Sequence, residues 1–312
     1  MLRSDGFDSE VLAEVIRHDV IESQHRGHLI LLNADGTLRM SRGNPAALIY
    51  PRSSIKSIQT SAMVKSGLDL EPRLLALVAA SHSGSQMHQS AVLEILALGG
   101  LNGSALLNTR DRPLGDDDRR DWGSRAPTSL AQNCSGKHAG MLLTCVVNGW
   151  PTHSYLDPVH PLQIICRQEL EALANEPVSF TSVDGCGAPL FLISLLGLVE
   201  AIHEITISED QIHRSVIEAC RDFPEMVAGE GRLATRMMRE VPGLFMKEGA
   251  EGVNVGSLPD GRAFAFKIED GSSRAMGPLV VAVLNEFGVS VKPENTPIYG
   301  GNMVVGTIRA HL

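Results

Sequence analysis

Hairpin signals near both ends of this 312-residue chain constrain its fold more than any other feature of the sequence. An Asp-Gly pair between two apolar runs is typical of a tight turn that joins antiparallel strands. Asp35-Gly36 and Asp260-Gly261 are pairs of this kind. The apolar runs beside them, and one more near the chain's end, predict strands over 28–32, 37–40, 252–258, 262–268 and 303–309. We therefore expect β-structure at both ends of the chain.

The middle of the chain is predicted to be helical, because its apolar residues recur at helical spacing. The predicted helices are 66–80, 87–98, 137–147, 161–173, 189–202 and 209–220, with a further one at 272–287. The segment 11–21 fits either a helix or a strand. The polar segment 108–128 is predicted to be a loop, and its charged run at 116–121 to face solvent.

This distribution predicts an α+β fold, in which strands from both ends form one antiparallel sheet and the helices form a second lobe. We expect a single two-lobed domain over 1–312. Its sheet lobe would comprise about 1–52 and 245–312, and its helical lobe about 53–244. A strand leading into G-x-G-x-x-G is absent from the sequence, which argues against a dinucleotide-binding fold. The groove between the lobes is the expected site.

Composition excludes several classes of protein. The formal net charge of −9 argues against general binding to a phosphate backbone. No run of 18 apolar residues is present, which argues against a membrane span, and the start lacks the pattern of a secretory signal. We therefore expect a cytoplasmic protein. Its five cysteines are an odd number, which favours thiols or metal ligands over a disulfide framework.

Ser53 and Lys56 form an S-x-x-K pattern, the nucleophile motif of β-lactamases and penicillin-binding proteins. On a helix the two side chains would share a face, and the amine could accept the hydroxyl proton. A helix-capping serine with a solvent-facing lysine is the alternative. No S-D-N is present, and the late strand that carries Lys267 has no K-T-G. A β-lactam-binding transpeptidase is therefore poorly supported.

Two glycine-containing turns carry cysteines that could bind a metal. Cys134 lies in the segment 133–140 and Cys186 in the segment 182–189, each ahead of a predicted helix whose N-terminus would favour a thiolate. Brought together, the two sulfurs could hold a soft or borderline metal such as zinc. The common alternative is burial as small apolar side chains, which we expect for the other three cysteines.

Several short segments, in order, resemble the rhizobial-type asparaginase II family, the class 3 L-asparaginases. They are 22–27, 52–56, 80–84 with His88, 133–140, 160–163, 184–189, 249–253 and 267–271. The resemblance covers most of the chain, from about 22 to 274. It implies a fold similar to serine β-lactamases and glutaminases, and hydrolysis of L-asparagine to L-aspartate and ammonia. It also implies two Ser-Lys pairs, one nearby zinc per chain and a homodimer.

The resemblance assigns roles to individual residues. Ser53 and Lys56 match the first Ser-Lys pair, and Lys267 matches the second lysine. Ser81 is the better match for the second serine and Ser83 the alternative. Ser53 is the expected nucleophile, although Ser81 could hold that role instead.

The resemblance also implies a metal site and a set of substrate contacts. The implied zinc ligands are Cys134, Lys137 and Cys186, and the zinc is expected to orient substrate or hold loops rather than activate water. The candidate substrate-binding residues are Arg52, Ser83, His138, Asp184 and Asp270. Arg52 could instead pair with a local acid, His138 could serve a structural hydrogen bond, and Asp270 could pair with Lys267.

The sequence departs from the family beside the site. Ser57 stands where the family commonly has proline, and Ser85-Gln86 where it has Glu-Pro. These changes keep open a catalytically weak relative that binds zinc or an amino acid. A glutaminase-like amidase of the same fold is a separate alternative.

Overall fold

The computed structural model describes residues 8–294 and 296–312. The segment 1–7 of the predicted sheet lobe therefore lies outside the described residues. The strands, in chain order, are β1 (Glu10–Arg17), β2 (Val20–Leu32), β3 (Leu38–Arg42), β4 (Leu48–Ile49), β5 (Phe180–Val183), β6 (Pro189–Ser194), β7 (Phe245–Gly249), β8 (Val253–Ser257), β9 (Ala263–Ile268), β10 (Pro297–Gly300) and β11 (Met303–Ala310).

The helices occupy most of the chain between β4 and β7. In chain order they are α1 (Lys56–Lys65), α2 (Pro72–Val78), α3 (Gln86–Leu98), α4 (Asp116–Trp122), α5 (Ser135–Asn148), α6 (Pro161–Ala174), α7 (Leu195–Ile207), α8 (Gln211–Asp222), α9 (Pro224–Val227), α10 (Leu233–Glu240) and α11 (Met276–Glu286).

The two ends of the chain form one antiparallel sheet, as the hairpin signals predict. Its strand order is β10-β11-β1-β2-β9-β8-β7, and β3 also pairs with β2. The central pairing of β2 with β9 places His28 opposite Lys267. The predicted α+β class is therefore confirmed, and β7 is the edge strand of this sheet.

Helices cover both faces of the sheet. Helix α7 packs against β2, β8 and β9, and α11 lies against β1 and β11. Helix α1 packs against α5, α6 and α8, and its residues from Lys56 to Met63 are buried. Among the described residues, no helix is both long and apolar enough to span a bilayer.

The predicted helix over 189–202 is wrong in its first half. Residues Pro189–Ser194 form the buried strand β6, which pairs with β4 and β5 in a small second sheet. A fully buried strand is a continuous apolar run, so its sequence lacks the alternation that distinguishes strand from helix. The boundary is set by Ser194, whose hydroxyl caps α7 by accepting from the Gly197 N–H at 2.8 Å.

Two other boundaries differ from the prediction. The helix predicted over 66–80 is confined to α2, which begins at Pro72, because proline favours the first turn of a helix. The loop predicted over 108–128 contains the short helix α4, whose first turn holds acidic residues and whose last turn holds basic ones. This charge order matches the helix dipole, so the solvent-facing run also stabilises a helix.

Candidate active site

Ser53 lies in a short 3₁₀ turn, Arg52–Ile55, between β4 and α1. The preceding backbone is unusual, because Arg52 has a φ of 54° and is not glycine. The Arg52 guanidinium donates from Nε to Asp184 Oδ1 at 2.8 Å, which ties the turn to the segment before β6. Arg52 therefore pairs with a local acid, the second of the two roles considered for it.

Lys56 begins α1 and is only 1% exposed. Its Nζ donates to Ala80 O at 2.5 Å, to Ser81 Oγ at 3.1 Å and to Cys134 Sγ at 3.0 Å. These three bonds use all the donors of an ammonium group. The lysine of the S-x-x-K motif thus contacts the second serine, and no hydrogen bond joins it to the Ser53 hydroxyl in the part of the chain that the structure describes.

Ser81 and Ser83 have different surroundings. Ser81 faces Lys56, whereas the Ser83 hydroxyl donates to Ala228 O at 3.0 Å and packs against Gly229. Ser83 is therefore held in a loop contact away from Ser53.

Lys267 lies apart from both serines. It is on β9, and its Nζ donates to Ile268 O at 2.5 Å. It lines a separate cavity of about 190 Å³ with Arg52, Glu251 and Glu269. Nearby Asp270 accepts instead from His25 Nδ1 at 2.7 Å. The structure thus does not bring Lys267 or Asp270 to the pocket of Ser53.

A different lysine, Lys247 on β7, lies beside the site. It is 2% exposed, and its Nζ donates to Glu248 O at 2.9 Å. Burial holds the pKa of Lys247 well below its usual range, and the positive charge of Lys56 lowers it further.

The sequence contains a signal for Lys247 besides the match that pointed to Lys267. Lys247-Glu248-Gly249 is a K-x-G pattern on an edge strand, similar to the K-T-G of the serine enzymes. Strand β7 packs directly against the Arg52–Ile55 turn. A Cβ on Gly249 would lie 2.7 Å from Pro51 O, so only glycine permits this approach.

Cys134, Lys137 and Cys186 converge beside this cluster. All three are buried, and Lys137 Nζ lies 3.5 Å from Cys186 Sγ. The interaction with the Cys134 thiol and the charge of Lys137 lower the pKa of Cys186 to about 5 despite burial. Cys186 leads into strand β6 rather than the predicted helix, so its thiolate is stabilised by these neighbours and not by a helix N-terminus.

The donor set is compatible with zinc. Two sulfurs and an amine are suitable ligands, and Asp184 Oδ2 lies 3.8 Å from Cys186 Sγ. No group of three His, Cys, Asp or Glu side chains within the described ranges is placed to hold a metal. A zinc here would therefore depend on Lys137. Burial alone would lower the pKa of Lys137, but the neighbouring sulfurs outweigh it and raise the pKa, so metal binding would release a proton.

His138 follows Lys137 on α5 and is not among the residues that line the pocket. It is fully buried, and its Nδ1 lies 2.7 Å from the Tyr155 hydroxyl. Burial holds its pKa well below the usual range. This environment supports the structural role considered for His138.

The Ser53 pocket has a volume of about 190 Å³ and is lined mostly by polar residues. They are Arg52, Ser53, Asp111, Gln132, Asn133, Cys134, Asp184, Gly185, Cys186 and Ala250. The pocket is thus built from the 3₁₀ turn, the loop before α5, the turn before β6 and the end of β7.

A family model described as L-asparaginase II matches residues 13–309. The chain belongs to the L-asparaginase II family. This membership confirms the predicted resemblance over nearly the whole chain, and it makes the protein an amidohydrolase. A search of curated proteins found no match to this L-asparaginase II family member.

Solved structures similar to this family member have low sequence identity. Mglu in its glutamate form has 14% identity and a TM-score of 0.50, over 85% of this chain and 61% of its own. Native Mglu has 13% identity and a TM-score of 0.47, over 86% of this chain and 66% of its own. A β-lactamase from Mycobacterium bovis has 14% identity and a TM-score of 0.46, over 84% of this chain and 94% of its own. The chain thus spans less than two thirds of the Mglu chains, and the likeness concerns the fold alone.

Proposed function

We propose that this amidohydrolase hydrolyses the side-chain amide of L-asparagine to L-aspartate and ammonia, with Ser53 as the nucleophile. The observation that carries the proposal is the polar pocket that Ser53 lines, with the Lys56–Ser81 hydrogen bond and the buried Lys247 beside it. Family membership supports the reaction class. The pocket volume of about 190 Å³ suits a small amino acid.

The two lysines have different roles in this proposal. Lys56 donates to three acceptors, so it orients Ser81 and supplies positive charge. Lys247 is the base, because its lowered pKa favours a neutral amine that can accept a proton. In this scheme Lys247 takes the place in the second Ser-Lys pair that the resemblance gave to Lys267.

The reaction proceeds through an acyl-enzyme. Ser53 Oγ bonds to the amide carbon while its proton passes to the lysine-serine network, and the tetrahedral oxyanion is stabilised by backbone N–H groups of the Arg52–Ile55 turn. The C–N bond then breaks, and the nitrogen leaves as ammonia with a proton from the network. A water molecule attacks the ester carbon, gives its proton to the same network and releases aspartate with the Ser53 hydroxyl restored.

Zinc is part of the proposal as a bound ion held by Cys134, Lys137 and Cys186. When bound, it would supply a fixed positive charge that holds the loop before α5 against the turn before β6. The ion pair of Arg52 with Asp184 joins the turn before β6 to the Arg52–Ile55 turn as well. The homodimer implied by the family remains a proposal that sedimentation of the purified protein would test.

The experiment is ammonia release by the purified protein from L-asparagine and, in parallel, from L-glutamine. We expect release from L-asparagine, a fall of at least about 10³-fold in Ser53→Ala, and a large loss in Lys247→Met. The matched control is Ser215→Ala, because Ser215 is an exposed serine on α8. Equal or faster release from L-glutamine would favour the glutaminase-like alternative, and near-normal turnover in Ser53→Ala would exclude Ser53 as the nucleophile.

A further inference from the structure

The loop before α5 places two side-chain amides in the Ser53 pocket. Gln132 is 6% exposed, Asn133 is half-buried, and both line the pocket with Ser53. The mechanism above uses neither residue. An amide has a donor end and an acceptor end, so what it offers a ligand depends on which end faces the pocket.

The orientation of Gln132 is determined by the backbone. Its Oε1 accepts from the Cys134 backbone N–H at 2.9 Å and from Asn108 Nδ2 at 3.0 Å. A backbone N–H can only donate, so this end of Gln132 must be the oxygen. Asn108 is fixed in the same way, because its Nδ2 also donates to Ser129 O at 2.8 Å. The other end of Gln132 is therefore a donor.

That donor determines the orientation of Asn133. Gln132 Nε2 donates to Asn133 Oδ1 at 2.9 Å, and Cys134 Sγ lies 3.2 Å from the same oxygen. The Asn133 oxygen is thus held against the protein. Asn133 Nδ2 has no hydrogen-bond partner among the described residues, and it belongs to a side chain that lines the pocket.

We infer that Asn133 is a substrate-binding residue that presents Nδ2–H to an acceptor oxygen of the amino-acid substrate, and that Gln132 is the positioning residue that keeps this donor facing the pocket. This inference rests on the proposed function. The recognised group is an oxygen of the substrate's carboxylate or carboxamide. Arg52 is less suited to this contact, because its Nε already donates to Asp184 at 2.8 Å.

The first test is Asn133→Asp, which keeps the shape of the side chain and replaces the donor by an acceptor. We expect kcat/KM for L-asparagine to fall at least about 10-fold, because two acceptor oxygens would then face each other. A rise in KM alone would place the contact on the carboxylate, which is unchanged in the reaction, whereas a fall in kcat would place it on the carboxamide oxygen. A kcat/KM within two-fold of the wild type would overturn the inference.

The matched control is Asn102→Asp. Asn102 is exposed and caps a 3₁₀ turn by accepting from the Ser104 N–H at 3.0 Å, a bond that aspartate also makes. This variant carries the same change of charge at a distance from the pocket, so its kinetics are expected to match the wild type.

The second test is Gln132→Glu, which leaves Asn133 unchanged. Glutamate can still accept from the Cys134 N–H, but its second oxygen would also need a donor, and Asn133 would turn its Nδ2 inward to supply one. We expect the same kinetic parameter to change as in Asn133→Asp, with the thermal midpoint retained. Normal kinetics in Gln132→Glu beside impaired kinetics in Asn133→Asp would overturn the positioning role.

A binding measurement separates failure of the inference from failure of the proposed function. Calorimetric titration with L-asparagine and L-aspartate reports contact with Asn133 whether or not ammonia is released. If the wild type binds either ligand without turnover, the proposed reaction fails, and weaker binding by Asn133→Asp would still support the inference. Equal affinities for wild type and Asn133→Asp would refute it.

Discussion

Lys247→Met should remove a contribution that makes stability rise with pH, because burial disfavours the charged form of the Lys247 amine in the folded protein. Burial lowers the pKa of Lys247 well below its usual range, whereas in the unfolded chain it returns to about 10.4. Between those two values the unfolded state binds one proton more than the folded state. Stability therefore rises with pH in this window, by about 1.4 kcal/mol per pH unit for one proton.

The magnitude follows from one titrating group. Between pH 8 and 9.5, the wild type should gain about 2 kcal/mol relative to Lys247→Met. Methionine fills similar space without an amine, and among the described residues it removes a single hydrogen bond of Nζ, the one to Glu248 O. At pH 7 we expect the variant to be the more stable of the two.

Urea unfolding at pH 7, 8 and 9.5 would measure this difference without requiring any enzymatic activity. Lys292→Met is the matched control, because Lys292 is exposed. It tests whether removing a lysine from the surface changes the pH dependence of stability in the same way. Parallel pH dependences for wild type and Lys247→Met would show that Lys247 is charged in the folded state. Its role as the proposed base would then be refuted.

Three further predictions concern the packing and the metal site. Glu169 accepts from His213 Nε2 at 2.6 Å and from Lys65 Nζ at 2.7 Å. Burial alone would raise the pKa of Glu169, but these hydrogen bonds outweigh burial and lower it. Glu169→Gln should therefore lower the free energy of unfolding by about 1–3 kcal/mol at pH 7. This loss of stability should be complete above pH ~4.3 and should vanish as the pH falls through the lowered pKa of Glu169. Urea unfolding would check this, with Glu209→Gln as the control because Glu209 is exposed. Gly229→Ala should lower the free energy of unfolding by roughly 1–3 kcal/mol, because the new Cβ would lie 1.9 Å from Ser83 Oγ. Gly231 also has a positive φ but faces open space, so Gly231→Ala should lower it less. Equal losses of stability in the two variants would contradict the steric argument. Cys186→Ser should lower zinc content and the thermal midpoint more than kcat, and full zinc content, or complete loss of turnover in a folded variant, would contradict the proposed role of the metal.

The sequence predicted the sheet because its signals are local. Asp35-Gly36 and Asp260-Gly261 each specify a hairpin within a few residues, and the apolar runs beside them form the paired strands. Strand β6 was missed because burial on both sides removes that alternation.

The position of the proposed catalytic lysine depends on information that the local sequence lacks. Lys247 and Lys267 both lie on late strands near glycines, and either could be matched to a Ser-Lys pair. What separates them is the strand order, which makes β7 the edge strand beside Ser53 and places β9 two strands away. Strand order depends on pairings between distant segments, so a motif alone cannot distinguish the two lysines.

The pairing of β2 with β9 also has a consequence for synthesis. From Leu32 to Ala263 the ribosome must add 263 − 32 = 231 residues, which takes about 10–50 s at typical elongation rates. During that interval β2 exposes a row of unpaired backbone groups on the side that β9 later covers. A nascent chain thus carries Ser53 long before Lys247, and Lys247 joins the sheet beside Ser53 only after β7, β8 and β9 have left the ribosome.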